Sequence, residues 1–112
     1  MNKLYEILVP TTTLEGKPIR TRFHKVWDAK VREIAKGLTI LTPTQQGQWI
    51  SLEGELFIER SIPVRVACTE KQMHAIADMT ANYYQQKAIF FYEISSNVFL
   101  KHYDPEQGYK PK

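Results

Sequence analysis

The chain has 112 residues, which suits one domain with a single hydrophobic core. A hydrophobic content of 43% argues against disorder, and a net charge of +3 from scattered basic residues disfavours nucleic-acid binding. The one cysteine excludes an internal disulfide, no signal peptide is visible, and the longest apolar run is too short to cross a bilayer. These properties predict a cytoplasmic protein with no membrane partner.

The first half of the chain is predicted to contain a strand, a long loop and a helix. Residues 4–9 form the strand, and residues 10–21 hold two prolines and a glycine, which favours a loop. Gly37 is predicted to end the helix just past its last turn. From residue 22 onward, apolar side chains recur at helical spacing and form the predicted inner face: Phe23, Val26, Trp27, Val31, Ile34 and Ala35.

The middle of the chain is predicted to form a β-hairpin. A second strand over residues 38–52 is interrupted at residues 43–47, and a turn follows at residues 53–54. The returning strand is predicted over residues 56–68. Because Pro63 cannot donate a hydrogen bond to a neighbouring strand, we expect a bulge or bend there.

A second helix and a last strand complete the predicted domain. Thr69 and Gln72 form a capping box that opens the helix. Residues 88–94 are the fourth strand, so we expect a ferredoxin-like domain over residues 1–100 and a polar C-terminal tail over 101–112. One face of the second helix is predicted to be buried: Met73, Ile76, Ala77, Thr80, and Tyr83 or Tyr84.

The element order β-α-β-β-α-β predicts an α+β, ferredoxin-like sandwich, in which a four-stranded antiparallel sheet carries two helices on one face. The face without helices should be polar, but residues 4–9 and 88–92 are apolar in both alternations. An exposed apolar sheet face favours aggregation, so we expect a partner to cover it. Self-association into a dimer or a trimer is the simplest arrangement, with ligand sites in the clefts between subunits.

No metal or cofactor site is predicted from the residue pattern. His24, His74 and His102 have no partners at ligand spacing, which favours surface or capping roles. Cys68 ends an apolar strand and is expected to behave as a small buried apolar residue. The five glycines are dispersed, which excludes a glycine-rich nucleotide cradle.

The hairpin carries the candidate site, where Gln48 and Trp49 precede the turn and Glu59 follows it. A carboxylate within an apolar strand costs free energy unless it is solvated, paired or bound to a ligand. Glu59 either forms an ion pair with Arg65 or a lysine, or it faces a cationic ligand that stacks on Trp49. A three-residue loop at 53–55 would place Trp49 directly opposite Glu59, and a two-residue loop would place them on opposite faces.

The last strand holds a second carboxylate, Glu93. It either supplies the other half of a cation site or is the solvated end of the strand. The predicted ligand site therefore consists of Glu59 with further contacts from Gln48, Trp49, Tyr92, Glu93 and Asn97.

Four segments carry two family resemblances: Gly37-Leu38-Thr39, Gly47-Gln48-Trp49, Glu59-Arg60-Ser61 and Val64-Arg65-Val66-Ala67-Cys68, with Gly54 between the second and the third. Their order resembles an uncharacterised bacterial family of ferredoxin-like domains, which implies no activity. Over residues 37–94 it also resembles the phage S-adenosylmethionine (SAM) hydrolase family, whose members are SAM lyases.

The resemblance to the SAM lyases implies a trimer, favoured over a dimer, with substrate at the subunit interfaces. The methionine carboxylate of SAM would attack its own γ-carbon and release methylthioadenosine and homoserine lactone. Glu59 matches the acidic residue of the family, which implies that it is the catalytic residue. Trp49 stands where the lyases carry a tyrosine. The implied role is to lower SAM in the host cytoplasm, as in phage anti-restriction. The departure at Trp49 favours the alternative, a non-catalytic PII-like protein that binds a small ligand or has a regulatory role.

Overall fold

A computed structural model describes residues 2–41 and 45–107; inside the strands, the side chains at positions 45, 46, 49 and 57–59 lie outside that description. The described part of the chain contains two helices and five strands. In chain order these are β1 (Lys3–Pro10), α1 (Thr21–Ala35), β2 (Thr39–Ile40), β3 (Gln45–Ile50), β4 (Leu56–Cys68), α2 (Glu70–Tyr84) and β5 (Phe91–Ser95).

The strands form one antiparallel sheet in the order β2-β4-β1-β5, with β3 also paired to β4. Ser61 shows how β3 fits in, because it pairs with Pro10 of β1 on one edge and with Gln45 of β3 on the other. Strands β2 and β3 therefore lie along the same edge of β4 and together take the place of the one interrupted strand that the sequence predicts. The predicted ferredoxin-like fold, with two helices on a four-stranded antiparallel sheet, is confirmed.

The interruption differs in detail from its prediction. Residues 45–47 belong to β3, and residues 43–44 lie outside the described residues. Pairing between β1 and β4 runs past Pro63 without a shift. On the other edge of β4, the register shifts by two residues between the Gln45–Ser61 and Ile40–Val64 pairs. The two extra residues lie on the β2–β3 side, and β4 is continuous from Leu56 to Cys68, so the bulge predicted at Pro63 is not found in β4.

One face of the sheet packs against both helices and forms the core. The alternation of β1 places Tyr5, Ile7 and Val9 on this face, and all three are almost fully buried. Trp27 of α1 crosses to α2, where its Nε1 donates a 2.8 Å hydrogen bond to the Oγ1 of Thr80. Each large apolar side chain buried in this way contributes roughly 1.5–3 kcal/mol to folding. The other core residues are Val31, Val64, Val66, Cys68, Met73, Ile76, Ala77 and Tyr84.

Helix α2 forms as predicted. Thr69 Oγ1 accepts from the backbone N–H of Gln72, and the side chain of Gln72 accepts in return from the backbone N–H of Thr69. This capping box satisfies two backbone donors that a helix start otherwise leaves unpaired. The predicted inner face is buried, with Tyr84 in the core and Tyr83 only partly buried.

Helix α1 departs from its prediction at both ends. Phe23 and Val26 are 45% and 48% exposed, so the buried stripe narrows to Trp27 and Val31. The helix ends at Ala35, and Lys36 follows it as the C-cap in the left-handed conformation with φ 69°, so the prediction that Gly37 occupies this position was wrong by one residue. Within the described residues, no helix is long and apolar enough to cross a membrane.

The long loop after β1 is a compact turn. Thr12 forms an isolated bridge with Pro18, and the N–H of Thr13 donates to the carbonyl of Lys17 at 2.8 Å. Gly16 completes this turn at φ 85°, a conformation that glycine adopts without the steric cost of a Cβ. The segment therefore closes on itself and holds the end of β1 in place.

The sheet face that carries no helix is called the open face below. It is formed by the other alternation of β1, including Leu4, Glu6 and Leu8. Strand β5 begins at Phe91 instead of residue 88, and its Tyr92 and Ile94 are 42% and 41% exposed. The open face thus exposes apolar side chains, as predicted, but a buried carboxylate lies at its centre. The predicted division into a domain over 1–100 and a tail over 101–112 stays a prediction.

Candidate functional site

A cavity of about 250 Å³ lies at one end of the open face. Leu8 and Pro10 of β1 and Ser61 of β4 contribute to its lining from the sheet. The volume is below the roughly 300–1,000 Å³ of pockets that enclose drug-sized ligands. The cavity therefore suits one part of a ligand, with the remainder extending along the protein surface. Its other lining residues are Gly47, Gln48, Gln86, Ala88, Ile89 and Phe90.

The hairpin of β3 and β4 supplies one wall of this cavity. Its turn is closed by a 2.8 Å hydrogen bond from the N–H of Ser51 to the carbonyl of Glu55, and Gly54 has φ 83°. The resulting register pairs Trp49 with Phe57 and places Glu59 opposite Gly47, so neither of the two predicted loops is the one formed.

The same register fixes which side of the hairpin each predicted residue occupies. Paired residues share a face, and so do residues two apart, so positions 47, 49, 59 and 61 lie on one side of the ladder. Gly47 and Ser61 line the cavity. Positions 49 and 59 therefore lie next to the cavity on the same side of the hairpin. The side chains of Trp49 and Glu59 lie outside the described residues.

The segment after α2 supplies the opposite wall. The side-chain amide nitrogen of Gln86 donates to the carbonyl of Tyr84 at 3.3 Å, with a longer 3.5 Å contact to the carbonyl of Thr12. Both bonds use the nitrogen, so the amide oxygen is suited to accept from a ligand. Next to it, Lys87 Nζ lies 3.2 Å from Glu55 Oε1 at the hairpin turn. This exposed ion pair ties the hairpin to the opposite wall and contributes little to stability, about 0–1 kcal/mol.

A polar cluster lies on the open face beside the cavity, and it consists of Glu6, Arg65 and Tyr92. Arg65 Nε is 3.1 Å from Glu6 Oε1, and the hydroxyl of Tyr92 donates to the other carboxylate oxygen of Glu6. Glu6 is only 8% exposed, whereas the side chain of Arg65 is 43% exposed. The hydrogen bond to Glu6 raises the pKa of Tyr92, so its hydroxyl stays protonated and acts as a donor. We call these three residues the open-face cluster.

Two predicted residues lie away from the cavity. Strand β5 begins directly after the cavity-lining Phe90 and ends at Ser95. Ser95 pairs with Leu4, near the opposite end of β1. Near that end, Glu93 forms a 3.2 Å ion pair with Lys3 at the surface. The N–H of Asn97 donates to the Oγ of Ser95. Of the predicted ligand contacts, the structure thus places Gln48 in the cavity wall and Tyr92 in the cluster, and it places Glu93 and Asn97 farther along.

The histidines and the cysteine form no reactive group with one another within the described residues. His24 Nδ1 is 2.6 Å from the Tyr84 hydroxyl, and burial lowers the pKa of this imidazole, which favours its neutral form. Burial raises the pKa of the Cys68 thiol to about 11, so it is protonated near neutral pH and a poor nucleophile. Among the described residues, no group of three or more His, Cys, Asp or Glu could hold a metal ion.

Sequence reasoning missed three residues of this region: Glu6, Arg65 and Gln86. The signal for Glu6 was available, since it is the one charged residue between Leu4 and Val9 in an otherwise apolar strand. Arg65 was considered only as a partner for Glu59, and the structure pairs it with Glu6.

Comparison with known proteins supports the fold. The sequence matches no known protein family and no curated protein. Among solved structures, the periplasmic divalent cation tolerance protein CutA of Archaeoglobus fulgidus is 14% identical, with a TM-score of 0.61 over 90% of this chain and 89% of that one. The divalent cation tolerance protein of Thermus thermophilus is 12% identical, with a TM-score of 0.57 over 95% and 90%.

A phage SAM lyase in complex with S-methyl-5′-thioadenosine is similar to the same degree. It is 11% identical, with a TM-score of 0.61 over 88% of this chain and 93% of that one. Such identities establish a shared fold and no more. The ferredoxin-like arrangement of CutA proteins and of this lyase is therefore also that of the present chain.

Proposed function

We propose that this chain binds S-adenosylmethionine at the cavity on its open face and cleaves it to methylthioadenosine and homoserine lactone. The observation that carries the proposal is the position of the cavity. It forms against the hairpin that the sequence singles out, with Gln48 in its lining and position 59 on the side of the ladder that lines it. The fold shared with a phage SAM lyase supports the same assignment.

The reaction makes modest chemical demands on the protein. An oxygen of the methionine carboxylate forms a bond to the γ-carbon, the bond from that carbon to sulfur breaks, and its electron pair stays on sulfur. The products are a neutral thioether and a lactone, with no net proton transfer and no cofactor. The protein has to hold the substrate in the bent attack geometry and exclude water, which are contributions of positioning and electrostatics.

Five of the six predicted residues have a direct role in this proposal. Glu59 is proposed to hold the sulfonium beside the cavity, and Trp49 to stack on the cationic or adenine portion of the substrate. Gln48 is proposed to bond the nucleoside. Glu93 and Asn97 are proposed to contact a ligand bound to a neighbouring copy of the chain.

A homo-oligomer, with a trimer favoured over a dimer, is part of the proposal. It would cover apolar side chains that one copy leaves exposed, including Phe90, Tyr92 and Ile94. Light scattering on the purified protein measures the mass directly. A monomer at micromolar concentration would contradict this part of the proposal.

The second candidate is a non-catalytic, PII-like protein that binds a small ligand. Its specific support is Trp49, which lacks the hydroxyl of the tyrosine found at the resembling position in the lyases. One experiment separates the two candidates. The wild type, Glu59→Gln and the exposed turn control Glu53→Gln are incubated with SAM, and methylthioadenosine is measured by chromatography alongside the thermal midpoint.

The outcomes of that experiment are distinct. Methylthioadenosine released by the wild type and by Glu53→Gln, but not by Glu59→Gln, supports the lyase. A raised thermal midpoint without product supports the binding protein, because a ligand that binds only the folded state stabilises it. Neither product nor stabilisation would contradict both candidates.

A further inference from the structure

We propose that the open-face cluster binds the amino-acid end of the ligand, with Arg65 holding the α-carboxylate and Glu6 the α-ammonium group. The inference rests on the proposed function and deepens it. It gives a binding place to the part of SAM that the cavity is too small to hold. It also gives Glu6 and Arg65 roles that the family resemblance does not imply.

The position of the cluster is the first argument. Glu6 and the cavity-lining Leu8 are two residues apart on β1, so their side chains share the open face at a spacing of about 7 Å. On β4, Arg65 pairs with Glu6, and Ser61 of the cavity lies on the same alternation. A ligand seated over Leu8 therefore reaches the cluster by following the sheet.

The burial of Glu6 is the second argument. Glu6 is 8% exposed, and its neighbours on the same face of β1, Leu4 and Leu8, are apolar. Burying an ion pair costs desolvation energy that its attraction only partly offsets, and apolar residues in its place are often as stable or more stable. The carboxylate is thus not explained by folding alone, and a ligand of opposite charge accounts for it.

The geometry of the cluster is the third argument. Arg65 uses Nε to contact Glu6, and its side chain is 43% exposed. A guanidinium presents donors in a planar fork that fits a carboxylate. Glu6 takes one bond on each oxygen, from Arg65 and from Tyr92, and an ionised carboxylate has about four acceptor positions. It therefore retains acceptor capacity for an ammonium group.

This arrangement has a consequence for kinetics. The substrate carboxylate loses its negative charge as it attacks the γ-carbon, so Arg65 binds the ground state more strongly than the transition state. Interactions of this kind lower KM without raising kcat. For an active enzyme, Arg65→Gln is therefore expected to raise KM and to leave kcat unchanged or higher. A residue that acts only through the fold would be expected to lower kcat as well.

The direct test compares two ligands that differ by the amino-acid arm. Calorimetric titration measures the Kd of SAM and of methylthioadenosine, which lacks that arm, for the wild type, Arg65→Gln and the helix-surface control Arg32→Gln. S-adenosylhomocysteine represents SAM in these titrations, because it keeps the amino-acid arm on an uncharged sulfur, like that of methylthioadenosine, and cannot be cleaved by this reaction. We expect Arg65→Gln to weaken SAM about tenfold or more, since a charged hydrogen bond contributes about 1.5–3 kcal/mol. Methylthioadenosine binding is expected to stay within about twofold, and Arg32→Gln to leave both unchanged.

Each other outcome has one meaning. If the wild type binds both ligands and Arg65→Gln changes neither, or weakens both equally, the inference is overturned while the proposed function stands. If the wild type binds neither ligand, both proposals are overturned together. If Arg65→Gln does not fold, Arg65→Lys replaces it, since it keeps the charge but not the fork, and a loss confined to SAM is again the expected result.

Discussion

The two faces of one sheet differ in what they bury. On the covered face, alternate residues of β1 meet both helices, and Ile7 and Val66 are fully buried in an apolar core. On the open face, the same strand buries a carboxylate, Glu6, against Arg65 and Tyr92. Neighbouring residues of one strand are therefore buried in different environments, one apolar and one charged. The covered face buries the apolar core, and the open face presents a cavity and a charged cluster.

The largest effect expected from this comparison is on stability, at two adjacent residues of β1. Ile7→Ala removes a fully buried side chain and should lower the free energy of unfolding by about 2–5 kcal/mol. Leu8→Ala removes a half-buried side chain on the open face and should cost about 1 kcal/mol. Urea unfolding of both variants measures the difference. Equal losses would show that the open face is also part of the folding core.

The covered face also predicts a loss of stability at alkaline pH. The folded pKa of Cys68 is raised to about 11, from an ordinary thiol value near 9, so the folded state retains a proton that the unfolded state releases. Stability from this group is full below pH about 9 and falls as the pH rises through about 11, by at most about 1.4 kcal/mol per pH unit. Between these pH values, the free energy of unfolding should change less steeply with pH in Cys68→Ala than in the wild type. An identical slope in the two proteins would rule out this contribution.

Removing the charges of the open face should have a smaller effect on stability. Replacing Glu6 and Arg65 together by leucine is expected to leave the free energy of unfolding unchanged or to raise it by about 1 kcal/mol, because the desolvation cost disappears with the attraction. Urea unfolding checks this, with methylthioadenosine binding as a test that the cavity persists. If the free energy of unfolding fell by several kcal/mol, the Glu6–Arg65 pair would be required for stability.

The smallest effect is expected at the exposed end of the covered face, where β1 begins. Lys3 and Glu93 form an exposed ion pair, with side chains 34% and 43% accessible. Such exposed pairs contribute little to stability and weaken as salt is added. Lys3→Ala should therefore change the urea midpoint only slightly, and the change should vanish in high salt. A large loss that persists in salt would show that this end is built like the core.

The sequence predicts the local features of this fold better than the long-range ones. The capping box of Thr69 and Gln72 and the buried stripe of α2 depend on residues a few positions apart, and both were found. The hairpin register depends on where the turn closes, and a shift of that turn placed Phe57 instead of Glu59 opposite Trp49. The C-cap of α1 lies one residue before Gly37, because Lys36 itself adopts the left-handed conformation.

The candidate site was predictable only in part for the same reason. Gln48 was identified because it belongs to a polar hairpin segment, and the hairpin lines the cavity. The Glu6–Arg65 contact joins residues 59 positions apart, so it follows only from the register of β1 and β4. Gln86 lies in the connection between α2 and β5, where no periodic pattern marks it as part of a site.

The most direct test of the central claim is to locate the ligand on the folded protein. Amide chemical shifts of isotope-labelled protein are followed while SAM is added. The account predicts shifts on the open face and around the cavity, at Gly47, Gln86, Phe90 and Arg65, with little change along α1. Shifts confined to the helices, or none at millimolar SAM, would contradict it.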